Sequence, residues 1–171
     1  MPSKVKDQYV NLVTQRVVLS APNTLTFQRI NFGTNLFDKY GLVIHRLEYD
    51  VGRTTMDELV ADTDVLQMGL CTSDELTAVQ IEDPDCIDAC NILAVADGVA
   101  ANFTLIQLPI SRDFCDFPGK GIIVSPSGIY FGVDSAGFVG VADCVIRVYF
   151  TLVALKDSEF IELLQTRRGF S

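Results

Sequence analysis

Apolar and polar positions alternate along most of this chain, and the longest such run lies near its end. Within residues 140–155, Ala142, Cys144, Ile146, Val148, Phe150, Leu152 and Ala154 fall on one face, while Val141, Val145, Tyr149, Val153 and Leu155 fall on the other. A period of two in a stretch rich in Val, Ile, Tyr, Phe and Thr predicts a long strand. A strand apolar on both faces requires cover on both, from its own domain or from a neighbouring subunit.

Shorter strand signals lie at residues 9–19, 24–32, 42–51, 64–72, 102–110, 122–124 and 129–133. In the third of these, Val43, His45, Leu47, Tyr49 and Val51 read as the core face, opposite Arg46, Glu48 and Asp50. Residues 36–40 suggest a short helical turn, and residues 56–60 a loop or single turn. Asp83-Pro84-Asp85 can open a short helix with Asp85 as its N-cap, and residues 135–137 form a hairpin turn. A helix is expected over 156–168, with Phe160, Ile161, Leu163 and Leu164 as its apolar stripe and Arg167 and Arg168 at its C-terminal end. Such a helix is marginal alone, so Phe160, Ile161, Leu164, Arg167 and Arg168 are expected at an assembly interface. The pattern describes an all-β, antiparallel jelly roll or β-sandwich of about eight strands with a short C-terminal α-helix. One domain spans 1–171, with 1–8 as a flexible arm.

Composition narrows the function. The 171 residues are 49% hydrophobic with a mean hydropathy of +0.29, yet no apolar run reaches the roughly 20 residues a bilayer requires, and no secretion signal is evident. Net charge is −9, which suits phosphate wrapping poorly, so no direct sequence-specific contact with nucleic acid is expected. Five cysteines without a CxxC motif read as reduced, buried thiols. Cys86 and Cys90 at helical spacing leave open a link to each other or between subunits.

Chemistry is scarce. The chain has one histidine, no tryptophan and none of the nucleophile, zincin or phosphate-loop motifs. His45 reads as a core or interface histidine. Glu48, Asp50 and Asp143 are strand carboxylates that offer candidates for a glycosidase pair, and the chain is expected not to be an enzyme. No cofactor is expected. Asp62, Asp64, Asp83, Asp85 and Asp88 offer hard oxygen ligands for a structural calcium, without EF-hand spacing.

Three stretches, 126–131, 147–151 and 155–165, resemble the closing part of small single jelly-roll capsid proteins of icosahedral viruses. The likeness is one of pattern and covers roughly the last third. It implies strands arranged in BIDG and CHEF sheets, self-assembly into a shell through subunit contacts, and a virion protein synthesised in the host cytoplasm. Its implied partners are copies of itself, other virion proteins and a host-surface receptor. The chain departs from many members in lacking a long basic N-terminal arm, which favours a shell over an internal membrane or a separate nucleocapsid layer. The composition also fits a stand-alone β-sandwich binding domain of carbohydrate-binding or adhesin-like type.

Overall fold

A computed structural model of the chain describes residues 9–34, 39–59, 64–93, 109–117, 120–159 and 161. Among the described residues the strands are β1 (Asn11–Val18), β2 (Thr26–Arg29), β3 (Tyr40–Val51), β4 (Val65–Cys71), β5 (Cys86–Leu93), β6 (Ile110–Asp113), β7 (Ile122–Val124), β8 (Tyr130–Ala136) and β9 (Asp143–Ala154), and a short helix, α1 (Arg53–Glu58), follows β3. The first sheet runs β1-β9-β3-β6, with β7 also pairing β3, and the second runs β2-β8-β4-β5. All pairings are antiparallel. Lettered in chain order, with β6 and β7 as the two halves of strand G, these are the BIDG and CHEF sheets of a jelly roll.

The two sheets enclose one core. From β9 come Cys144, Ile146, Val148, Phe150 and Leu152; from β3, Leu42, Ile44, Leu47 and Tyr49; from the second sheet, Leu66, Met68, Leu70, Ile92, Phe131 and Val133. Phe32 meets Phe150 edge to face at 5.0 Å. Burial pushes the Cys144 thiol up to about 12, so it behaves as a small hydrophobe.

A β-bulge corrects the expected face of β3. The register with β9 shifts between Ile44 and Arg46, leaving His45 as the extra residue. Leu42 and Ile44 therefore point inward before the bulge and Leu47 and Tyr49 after it, while Val43 and His45 stay outside the buried set. The same bulge divides the neighbouring strand. β7 pairs Leu42 to Ile44 and β6 pairs Arg46 to Tyr49, with the intervening loop leaving the sheet beside His45. The ring of His45 holds that loop: Nδ1 lies 2.8 Å from the Lys120 carbonyl, to which it donates, and Nε2 lies 3.0 Å from the Thr151 hydroxyl.

Three further expectations change. The segment after Asp85 is strand β5 rather than a helix, so Cys86 and Cys90 lie along an extended chain. The hairpin expected at 135–137 does not form, because β8 continues to Ala136 in the second sheet while β9 belongs to the first, so residues 137–142 cross between the sheets. Tyr40 opens β3 instead of closing a helical turn, and residues 36–38 lie outside the described residues. The same holds for the arm 1–8, for most of the strand expected at 102–110, and for the tail beyond Glu159 except Ile161. Helical geometry is present at residues 157–159 and 161.

Candidate assembly surface

The outer face of the first sheet is a candidate assembly surface among the described residues. On β9 its residues are Asp143, Val145, Arg147, Tyr149, Thr151 and Val153, the second face of the long final strand. No second layer packs over them among the described residues, and Val145, Tyr149 and Val153 stay half-buried.

This face has a polar half and an apolar half. Glu48 anchors the polar half. Its carboxylate is 2.7 Å from Arg46 and 3.6 Å from Arg147, and it accepts a hydrogen bond of 3.1 Å from the Tyr149 hydroxyl. The Arg46 guanidinium also lies 5.7 Å from the centre of the Tyr149 ring. Further along, Arg16 grips Asp143 through two bonds of 2.7 and 2.6 Å, and this guanidinium holds the carboxyl below its ordinary range. The strand carboxylates Glu48 and Asp143 are thus engaged in ion pairs on an open sheet face.

The apolar half surrounds Gly41. A Cβ there would stand 3.1 Å from both Ile123 Cδ1 and Leu155 Cδ1, so these two side chains close over the glycine. Val43 lies opposite Ile123, and Val153 opposite Gly41. Leu12, more than half exposed, lies on the β1 edge opposite Tyr149, beside the polar half. Sequence alternation pointed to the Val145, Tyr149, Val153 and Leu155 side. It missed Gly41, Val43 and Ile123, because the bulge that turns Val43 outward has no signature in the local pattern.

At one end of the sandwich the loops lock together. Asn23, with φ of 56°, donates to the Phe138 carbonyl and accepts from the Phe138 amide. Glu58 accepts from the amides of Val139 and Gly140 at 3.0 and 2.7 Å. Thr55 both accepts from the Asp143 amide and donates to its carbonyl. The result is a rigid rim with Val139, 89% exposed, at its tip.

The calcium candidates are dispersed. Asp64 precedes β4, whereas Asp83 and Asp85 follow its far end, about 23 Å away for seven strand residues. Asp85 accepts from the Thr72 hydroxyl and Asp83 from the Asp85 amide. Asp88 points into the core against Tyr49, and Asp62 lies outside the described residues. No group of three or more potential metal ligands occurs among the described residues. Of the expected interface residues, Ile161 is exposed, while Phe160, Leu164, Arg167 and Arg168 lie outside the described residues. No helix among the described residues is long and apolar enough to cross a membrane.

No family model matches the sequence, and no curated protein matches it. Among solved structures, 18 chains match. VP1 of Trichodysplasia spinulosa-associated polyomavirus is similar in structure with a TM-score of 0.54, over 91% of this chain and 99% of that one, at 8% identity. The chain has a jelly-roll fold. At such low identity the likeness is one of architecture, and it agrees with the strand order of the two sheets.

Proposed function

We propose that this protein is a viral capsid protein that assembles with copies of itself into an icosahedral shell, resides in the virion and performs no catalysis. The observation that carries the reading is a jelly roll whose first sheet leaves the apolar half of its outer face, Val43, Ile123, Val153 and Leu155, without a covering layer among the described residues. Identical subunits close a shell by presenting complementary patches, and a contiguous apolar area bordered by paired charges has the make-up of an interface core and rim. The fold shared with a polyomavirus VP1 supports the same reading. Contacts with other virion proteins or a host receptor belong to this proposal as functions of the rim around Val139.

The test is the assembly state of the purified chain by light scattering and negative-stain microscopy, beside the variant Val153→Asp. The native chain is expected to form particles or defined oligomers. The variant is expected to remain monomeric with an unchanged circular dichroism spectrum, because the substituted side chain faces outward. A native chain that stays monomeric at high concentration overturns the proposal. Glycan binding by that monomer would instead assign a stand-alone binding domain.

A further inference from the structure

The second sheet carries a small buried cluster of its own, separate from the main core. It consists of Cys71, Val79 and Cys86, with Leu25, Phe27, Leu76 and Ala89 packed against it. The β4–β5 loop, residues 72–85, makes this possible by folding back over the outer face of its own sheet. Val79 is the anchor. A Cβ on Gly69 would clash with Val79 Cγ1, and one on Gly132 would lie 2.9 Å from Val79 Cγ2, so both glycines make room for it. The loop is closed at its base by Thr72, whose amide and hydroxyl bond Asp85 at 2.7 and 2.9 Å.

Immediately inside that closure two cysteines face each other. The register pairs Leu70 with Asp88 but Cys71 with Cys86, skipping Ile87. That irregularity sets Cys86 against Cys71 in the small cluster, while Cys90 sits opposite Met68 in the main core. Directly opposed residues of an antiparallel pair have Cα atoms about 4.5–5.5 Å apart, inside the span of roughly 4.4–6.8 Å that a disulfide bridges. Cys90 lies four strand residues from Cys86, about 13 Å, so a Cys86–Cys90 link is out of reach. Cys115, the exposed thiol, belongs to the loop after β6 in the other sheet.

We infer that Cys71 and Cys86 form an oxidisable pair whose disulfide locks the base of the acidic 72–85 loop that folds over the outer face of the second sheet. The oxidant is hydrogen peroxide, small enough to reach Cys86, which is 9% exposed where Cys71 is fully covered. The hydrogen bond between the two thiols lowers the pKa of Cys86 and, together with burial, raises that of Cys71, so Cys86 supplies the attacking thiolate. Its sulfur attacks one peroxide oxygen, the O–O bond breaks, and hydroxide leaves, giving a sulfenic acid. Cys71 then gives up its proton and attacks that sulfur, displacing the second oxygen as water. Two thiols and one peroxide become one disulfide and two waters. The closed loop contains residues 71–86, so the bond restricts a segment of appreciable length in the unfolded chain. This inference is independent of the shell proposal.

The experiment uses the full chain, treated with hydrogen peroxide, alkylated under denaturing conditions and cleaved after Asp and Glu. Asp74, Glu75 and Glu82 separate Cys71 from Cys86, and Asp88 separates Cys86 from Cys90, so mass spectrometry reads each pairing directly. The expected product is a Cys71–Cys86 linked peptide lacking two hydrogens, formed equally in a Cys115→Ser variant, reversed by a thiol reductant, and accompanied by a rise in Tm of roughly 5–10 °C. A Cys86–Cys90 link, a cross-link between chains through Cys115, or Cys71 and Cys86 that remain fully alkylated after prolonged exposure would overturn it.

Discussion

The Tyr49 hydroxyl donates a 2.9 Å hydrogen bond to the Asp88 carboxylate, joining β3 of one sheet to β5 of the other inside the sandwich. Tyr49 is fully buried, and Arg112 approaches the same carboxylate at 3.9 Å. Burial, with the Asp88 charge and hydrogen bond adding to it, holds the Tyr49 pKa well above its ordinary value. Substitution Tyr49→Phe keeps the ring and removes the donor, leaving a buried carboxylate short of a partner. A loss of about 1–3 kcal/mol is expected in urea unfolding, and a loss near zero would show that Arg112 or water replaces the bond.

Asp88 also sets a pH dependence. Burial raises its folded-state pKa above 3.8, against the opposing effects of Tyr49 and Arg112. Below the ordinary carboxylate value both folded and unfolded chains hold the proton. As pH rises above it the unfolded chain ionises first, so this group's contribution to stability falls until pH passes the raised folded value. Asp88→Asn is therefore expected to gain stability relative to the native chain as pH rises from the ordinary carboxylate value to the raised folded value. A difference between the two that is independent of pH would refute this role.

The packing of Val79 on Gly69 predicts a steric result. Gly69→Ala places a methyl group against Val79 and 2.8 Å from the Asp88 carbonyl, and one of the two must move. A loss of about 1–3 kcal/mol is expected, with faster proteolysis within 72–85. The double variant Gly69→Ala with Val79→Ala is expected to recover part of the stability but not the protection.

Removal of residues 157–171 tests the tail. Lys39 pairs with Asp157 at 2.7 Å, but both side chains are exposed and the pair contributes little. Thermal stability of the remaining domain is expected to change by less than about 1 kcal/mol, whereas assembly or solubility is expected to fall. Unchanged assembly would show the tail to be incidental.

Chelation is expected to leave Tm unchanged, because Asp83 and Asp85 serve the loop's own turn and Asp88 the core. A calcium-dependent rise of several degrees would place an ion at the 72–85 loop and reverse this expectation.

The existence of β1, β2, β3, β4, β7, β8 and β9 is legible from alternation and turn residues, because a half-buried strand needs apolar residues at every second position. The two-faced character of β9 is legible for the same reason, and it points to the outer face of the first sheet as the candidate surface. Other features were hidden by degeneracy. In β3 both Val43 and His45 on one phase and Leu42 and Ile44 on the other are compatible with burial, so no local pattern selects between them. The choice comes from the bulge, which the loop after β6 stabilises through the Lys120 carbonyl 75 positions away from His45. Cys86 and Cys90 have a spacing that suits one face of a helix, and only the pairing of β5 with β4 shows that Cys71 is the neighbour of Cys86.

The amino-acid sequence by itself determined an antiparallel β domain with little catalytic equipment and a final strand apolar on both sides, since these follow from residue type and period. Tertiary structure decided which phase of β3 is buried, which cysteines face each other and which face of the sandwich is left uncovered. Those outcomes depend on register between strands distant in the chain, and register is set by packing and hydrogen bonding that no local window contains.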